Sequence, residues 1–238
     1  MKSIKCVGVL AGMAAMVMSV GASAAFAASE FQTNEGALEG TTITGTGGTA
    51  TFETEKGATV TCEHSSSTGE INGPFEGHVT VTYSGKCTLA KAIAGNGACT
   101  EPIKTEQLTV QPGTIAAGAG VVEPTERGLD FSASGPLAKF ECGSGLTKAS
   151  ITVTGSLICE SRGKNVGPTS EFLKTGEVVC ESGPNHGEQL YTSINVDGTN
   201  ITEDFLTADG EVFGIKTTEK DQQETVEHLT FGKAGRQT

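Results

Sequence analysis

The residues most capable of chemistry in this sequence are its cysteines. Seven occur; Cys6 lies in an apolar N-terminal run, which leaves Cys62, Cys87, Cys99, Cys142, Cys159 and Cys180. A tetrahedral zinc site draws its ligands from short Cys-x-x-Cys or His-x-x-x-His pairs. Here the closest two of the six, Cys87 and Cys99, are twelve residues apart. An even number of well-separated cysteines is the pattern of structural disulfides in an oxidising compartment, and spacing alone leaves their connectivity open. No metal and no cofactor are expected.

Nucleophile and base patterns are sparse. There is no Gly-x-Ser-x-Gly elbow and no His-Glu-x-x-His zinc helix. Ser161 and Lys164 fit Ser-x-x-Lys, and Lys174-Thr175-Gly176 fits Lys-Thr-Gly. The combination mimics a penicillin-recognising enzyme, but no Ser-Asp-Asn intervenes and no helical domain is present to carry the serine. His64 and His186 sit in polar stretches, while His78 and His228 lie in alternating segments. All four read as surface residues. Asp197, Asn200, Glu203, Asp204 and Asp209 gather oxygen ligands without meeting the EF-hand spacing, so a solvated turn is expected rather than a calcium site. No catalytic residue is assigned.

The elements that must position these residues read as strands. Residues 49–54, 58–62, 78–83, 107–110, 129–132, 138–142, 149–157, 177–180, 190–196, 212–218 and 225–231 alternate apolar residues with Thr or other polar residues. Period-two alternation rich in β-branched side chains is a strand signal. Gly, Pro, Asn and Asp punctuate the segments, with Asp197-Gly198 and Asp209-Gly210 as turn signals. Helix is expected only as single turns near 102–107 and 200–206. Residues 63–69 read as a polar connection, and 113–120 as a Gly/Ala loop. Cys-Glu recurs at 62–63, 159–160 and 180–181, each time closing an apolar segment. The expected fold is all-β: one antiparallel β-sandwich-like domain over residues 28–238, with short strands and disulfides. Residues 28–48 read either as a flexible lead-in or as a first edge strand.

The beginning of the chain reads as an export signal. Lys2 and Lys5 form a positive start, an apolar run follows from Cys6 to Val20, and Ala25-Phe26-Ala27 supplies the small residues of a cleavage site. Residues 1–27 are therefore expected to be removed, leaving a chain with no membrane span. Losing Lys2 and Lys5 takes the 16 basic side chains to 14, against 28 acidic ones. So acidic a surface, without a Lys/Arg cluster, repels phosphate backbones and anionic lipid, which disfavours nucleic-acid and membrane-surface partners. The expected location is extracellular, or loosely associated with the cell envelope.

The run Thr61-Cys62, Ser67-Thr68-Gly69-Glu70-Ile71-Asn72-Gly73-Pro74, Val79-Thr80-Val81-Thr82-Tyr83-Ser84-Gly85, Cys87 and Cys99 resembles an uncharacterised family of exported proteins of high-GC Gram-positive bacteria. Phe140-Glu141-Cys142 followed by Ile151-Thr152-Val153-Thr154-Gly155-Ser156 resembles a later stretch of the same family. Here Lys86 separates Gly85 from Cys87, and Cys159 and Cys180 stand as additions. The resemblance implies pairs Cys87–Cys99, Cys62–Cys142 and Cys159–Cys180, and it implies no activity.

Together these readings favour a secreted, non-enzymatic module that binds cell-wall or extracellular polysaccharide or protein. Recognition is expected on loops 63–73, 88–98 and 181–188. The alternative is a secreted hydrolase of polysaccharide or peptide, which would need polar groups converging in a pocket. An inhibitor acting through the 87–99 loop is a third reading.

Overall fold

The structure, a computed structural model, describes residues 29–90, 96–117, 126–166, 170–202, 206–212 and 215–238. Strands dominate these residues, and their only helical element is a 3-10 turn at Gly145–Thr147.

Eight strands close into an antiparallel barrel: β2 (Thr41–Gly47), β5 (His64–Gly73), β6 (Glu76–Ser84), β10 (Leu108–Ala117), β11 (Arg127–Ser132), β14 (Ser156–Arg162), β15 (Leu173–Cys180) and β19 (Ile215–Gln237). Each pairs with the next in that order, and β19 returns to β2 through Phe231↔Ile43 and Glu227↔Gly47. The antiparallel, disulfide-bearing all-β character agrees with the sequence. The sandwich does not: the sheet closes on itself instead of splitting into two facing layers. Alternation along a strand sets which side chains face the core. It carries no information about the non-local pairings β6–β10 and β19–β2 that close the ring.

Smaller sheets extend the 23-residue β19. Its first part pairs with β18 (Thr207–Val212), which continues to β13 (Ala149–Thr154) and β12 (Ala138–Cys142). Its Asp221–Glu224 stretch pairs with β3 (Ala50–Thr54), followed by β4 (Thr59–Cys62), β7 (Thr88–Ala90) and β8 (Gly97–Ala98). Its end pairs with β1 (Phe31–Thr33). Short β9 (Ile103–Lys104) lies on β6. A hairpin of β16 (Tyr191–Val196) and β17 (Thr199–Thr202) continues the edge of β10 and packs Ile194 against Ile115 and Ile158 in a second core outside the barrel.

Several local expectations change. Strand β2 is flanked by β5 and β19, so residues 41–47 are an interior strand and neither a lead-in nor an edge. Segment 149–157 splits into β13 and β14 at Gly155, whose φ of 104° lies in the region glycine tolerates best. Where single helical turns were expected, Ile103–Lys104 form β9 and Thr199–Thr202 form β17, while 203–205 lie outside the described residues. Strand β10 runs through Ala117, where the Gly/Ala loop was expected to be under way; 118–125 lie outside the described residues.

All three disulfides staple cross-strand partners in register. Cys62 bonds to Cys87 beside the Thr61↔Thr88 pair of β4 and β7. Cys99 bonds to Cys142, its antiparallel bridge partner, and joins the two small sheets. Cys159 bonds to Cys180 beside the Glu160↔Val179 pair of β14 and β15. Their Cα–Cα distances of 4.1, 3.8 and 4.4 Å fit the close approach of directly opposed residues. The third pair is the one the family resemblance implies. The implied Cys62–Cys142 and Cys87–Cys99 pairs are replaced, because β7 delivers Cys87 to β4 while Cys99 continues to β12. Residues 87–99 therefore do not form a disulfide-closed loop.

Candidate functional site

The barrel lumen is the feature that departs from an ordinary packed core. On the inward face, Ile43, Val79, Val81, Leu108, Val110 and Leu157 are buried, and Phe131, Leu229 and Phe231 are half-buried against them. These side chains surround a cavity of about 110 Å³. Eight strands give an interior that is either just filled by side chains or holds one small ligand. An apolar cavity of roughly 150 Å³ admits benzene, and this lumen, though smaller, approaches that size.

The two ends differ. Tyr83, Ile103, Leu137, Val153 and Leu206 are buried where the small sheets cap the deep end. There the Phe52 and Tyr83 rings meet edge to face at 5.0 Å, and Gln223 Nε2 donates to the Tyr83 hydroxyl at 3.1 Å. Burial holds the Tyr83 hydroxyl well above its ordinary pKa; nearby Glu227 pushes the same way and the Gln223 bond opposes. At the other end Gln32, Thr33, Leu38, Phe231, Lys233 and Arg236 line the cavity while remaining partly exposed, which makes this the mouth. Arg236 is held there by Gln32 and lies over the Phe172 ring at 4.6 Å.

Inside the apolar wall runs a set of polar side chains. On β19 the usual alternation is inverted: Thr225 and Glu227 are 5% and 8% exposed, while Val226 between them is 41% exposed. Glu227 lies opposite Gly47 on one side and Val178 on the other, and Val178 lies opposite Ser161. Ser67 Oγ donates to Glu227 Oε2 at 2.7 Å. The glycines of β2 make this possible, because a Cβ at Gly45 would stand 2.1 Å from Ser67 Oγ and 2.7 Å from Glu227 Oε2. Glu227 Oε1, Thr225 Oγ1 and Ser161 Oγ are buried without a hydrogen-bond partner. Such groups carry a desolvation cost of about 1–3 kcal/mol each.

The residues singled out in the sequence lie mostly elsewhere. Residues 63–73, expected as a recognition loop, form barrel strand β5 from residue 64 onward. Of 88–98, β7 and β8 are described and 91–95 lie outside the described residues. Residues 181–188 do form a loop, beside a polar cleft that also involves Thr51, Glu53 and Gln222. The four histidines face away from the lumen; His186, His228 and His78 approach Glu53, Glu177 and Glu76 at 3.2, 3.3 and 3.4 Å. Ser161 faces the lumen, whereas Lys164 and Lys174 are exposed. Asp197 belongs to the β16–β17 turn, Asn200 to β17 and Asp209 to β18, where it accepts from Thr218 at 2.5 Å. Glu203 and Asp204 lie outside the described residues. No group of three His, Cys, Asp or Glu side chains among the described residues is arranged to hold a metal. Of the six cysteines, Cys180 alone also lines the lumen.

Sequence reading missed the lumen polar set because Ser65 and Ser67 read as part of a polar connection and Thr225 as an ordinary surface-strand residue. The one available signal was the spacing of Thr225, Glu227, Leu229 and Phe231, a polar-to-apolar gradient on one face. Comparison with protein-family models, with curated proteins and with solved structures finds no match, so geometry alone carries the functional argument.

Proposed function

We propose that this protein is an extracellular, non-enzymatic binding protein that holds a small, largely apolar molecule inside its barrel. The observation that carries the reading is the apolar cavity of about 110 Å³ within a closed eight-stranded wall whose solvent-exposed outward residues are mostly polar. On β2, Thr42, Thr44 and Thr46 face out and are exposed, while Thr41, Ile43 and Gly45 face in. An apolar lumen beneath a polar exterior is the reverse of the pattern in barrels that face lipid. No helix among the described residues is long and apolar enough to cross a membrane. Three disulfides and the apolar, small-residue-terminated N-terminus support action in an oxidising compartment outside the cytoplasm.

The driving force is apolar burial. Each methylene removed from water contributes about 0.8 kcal/mol, so a six-carbon guest gains about 5 kcal/mol before the costs of association. On this reading recognition belongs to the lumen rather than to the loops.

Titration of the purified protein with toluene and with hexanol, followed by methyl NMR, tests the reading. Saturable shifts are expected at Val79, Leu108, Leu157 and Leu229, and they should vanish when Val110→Phe fills the lumen of a still-folded variant. Absence of saturable shifts at these methyls, or unchanged shifts in the filled variant, would refute it.

A further inference from the structure

We infer that the lumen selects a guest carrying a hydrogen-bond-donating head, a primary amine on a short apolar body, with the Glu227 carboxyl as its anchor. The inference rests on the lumen-binding reading and adds the chemical class of the ligand.

The groups left unpaired on the inward face include Glu227 Oε1, Thr225 Oγ1 and Ser161 Oγ. A carboxyl oxygen accepts, and a hydroxyl can turn to accept, so the set suits a ligand that donates. Glu227 makes no ion pair among the described residues, and its one donor is Ser67, on Oε2. The cations nearest the lumen are committed elsewhere. Arg162 bonds to Glu160 and Glu181, Arg236 to Gln32, and Lys233 to the Ala37 carbonyl. Arg127 is buried, donates from Nη1 to Thr114 and leaves its Nε unpartnered, but it does not line the cavity. An ammonium group supplies three donors and the opposite charge to a carboxylate, the combination that makes the strong hydrogen bonds of protein interiors.

Room for the anchor is built into the neighbouring strand. The Glu227 side chain lies across Gly45 and Gly47, where a Cβ would approach its Oε2 to 2.7 Å and its Cγ to 3.1 Å. Glu227 pairs across the wall with Gly47, whose own partner Ser65 lies opposite Tyr83 of the sealed end. The head therefore sits deep, and the apolar body extends past Leu229 and Phe231 towards the mouth.

Hexylamine, hexanol and hexane share a body and differ in the head, so their affinities for the disulfide-bonded protein separate the two claims. Hexylamine is expected to bind at least about tenfold more tightly than hexanol or hexane, and Glu227→Gln should erase that preference while retaining hexane. In the wild-type protein, nuclear Overhauser contacts from the amine-bearing methylene should reach the Val178 and Thr225 methyls. Equal affinities, a preference that survives in a folded Glu227→Gln variant, or contacts only with Leu38 and Phe231 would overturn the anchor and leave the lumen reading standing. Binding of none of the three would overturn both.

Discussion

Ser67 and Glu227, 160 residues apart in sequence, meet at 2.7 Å across the inner face of β2 because residue 45 between them has no Cβ. Gly45 is thus fixed by packing and not by its backbone angles. Gly45→Ala would drive a methyl to 2.1 Å from Ser67 Oγ, leaving the pair to separate or β2 to shift. Overpacking of this kind costs about 1–3 kcal/mol. Urea unfolding should show that loss in Gly45→Ala and partial recovery in Gly45→Ala/Ser67→Ala, since the second change removes the closest atom. Additive losses in the double variant would contradict the arrangement.

Two buried carboxyls set a pH dependence. Burial raises Asp221 to about 7, with Glu219 and Glu53 adding to the effect and the Gln222 N–H opposing it. Burial likewise raises Asp130 to about 6, opposed by its bond with Ser132. In the unfolded chain such groups ionise near about 4. Between that value and 6–7 the folded protein holds protons that the unfolded chain has released, so stability falls as pH rises through this window. The urea midpoint should be higher at pH 5 than at pH 8. Asp221→Asn should raise the pH 8 midpoint and flatten the difference. Identical midpoints for the parent protein at both pH values would show that these carboxyls are not desolvated as the structure has them.

Much of the strand content was legible, because segments such as 78–83 and 138–142 alternate cleanly. Strand β5 was not: Ser65 and Ser67 are small and polar, yet both point inward, Ser67 to bond the carboxyl of Glu227. Strand β19 misleads in the same way. Val226 reads as a core residue and is exposed, while Glu227 reads as a surface residue and is buried. Both failures fall on the lumen polar set, where local hydrophobic patterning yields to the needs of a cavity. Disulfide pairing was beyond reach for a different reason. Cys62 meets Cys87 only through the register of β4 and β7, and register is a tertiary property.

The β16–β17 hairpin is held by its own small core. Ile194 and Ile158 are fully buried, and Ile194 fits against Gly113, where a Cβ would stand 2.3 Å from its Cγ1. Ile194→Ala should cost about 2–5 kcal/mol, and Gly113→Ala should cost less in the Ile194→Ala background than alone. The check is a double-mutant cycle by chemical denaturation. A strictly additive cycle would mean that Ile194 does not rest on β10.

The disulfides should contribute unequally. In the chain-entropy view, a bond closing a longer segment restricts the unfolded state more. Cys99–Cys142 spans 43 residues and Cys159–Cys180 spans 21. Replacing both cysteines by Ala should then cost about 4 kcal/mol at the first bridge and about 3 at the second. Ligand binding should respond in the opposite order, because Cys180 lines the lumen whereas the Cys99–Cys142 bond joins the two small sheets. Non-reducing peptide mapping fixes the pairs, denaturation the stabilities, and hexane affinity the lumen. A Cys159→Ala/Cys180→Ala variant that keeps full affinity while the Cys99→Ala/Cys142→Ala variant loses it would place the guest among the small sheets and not between β14 and β19.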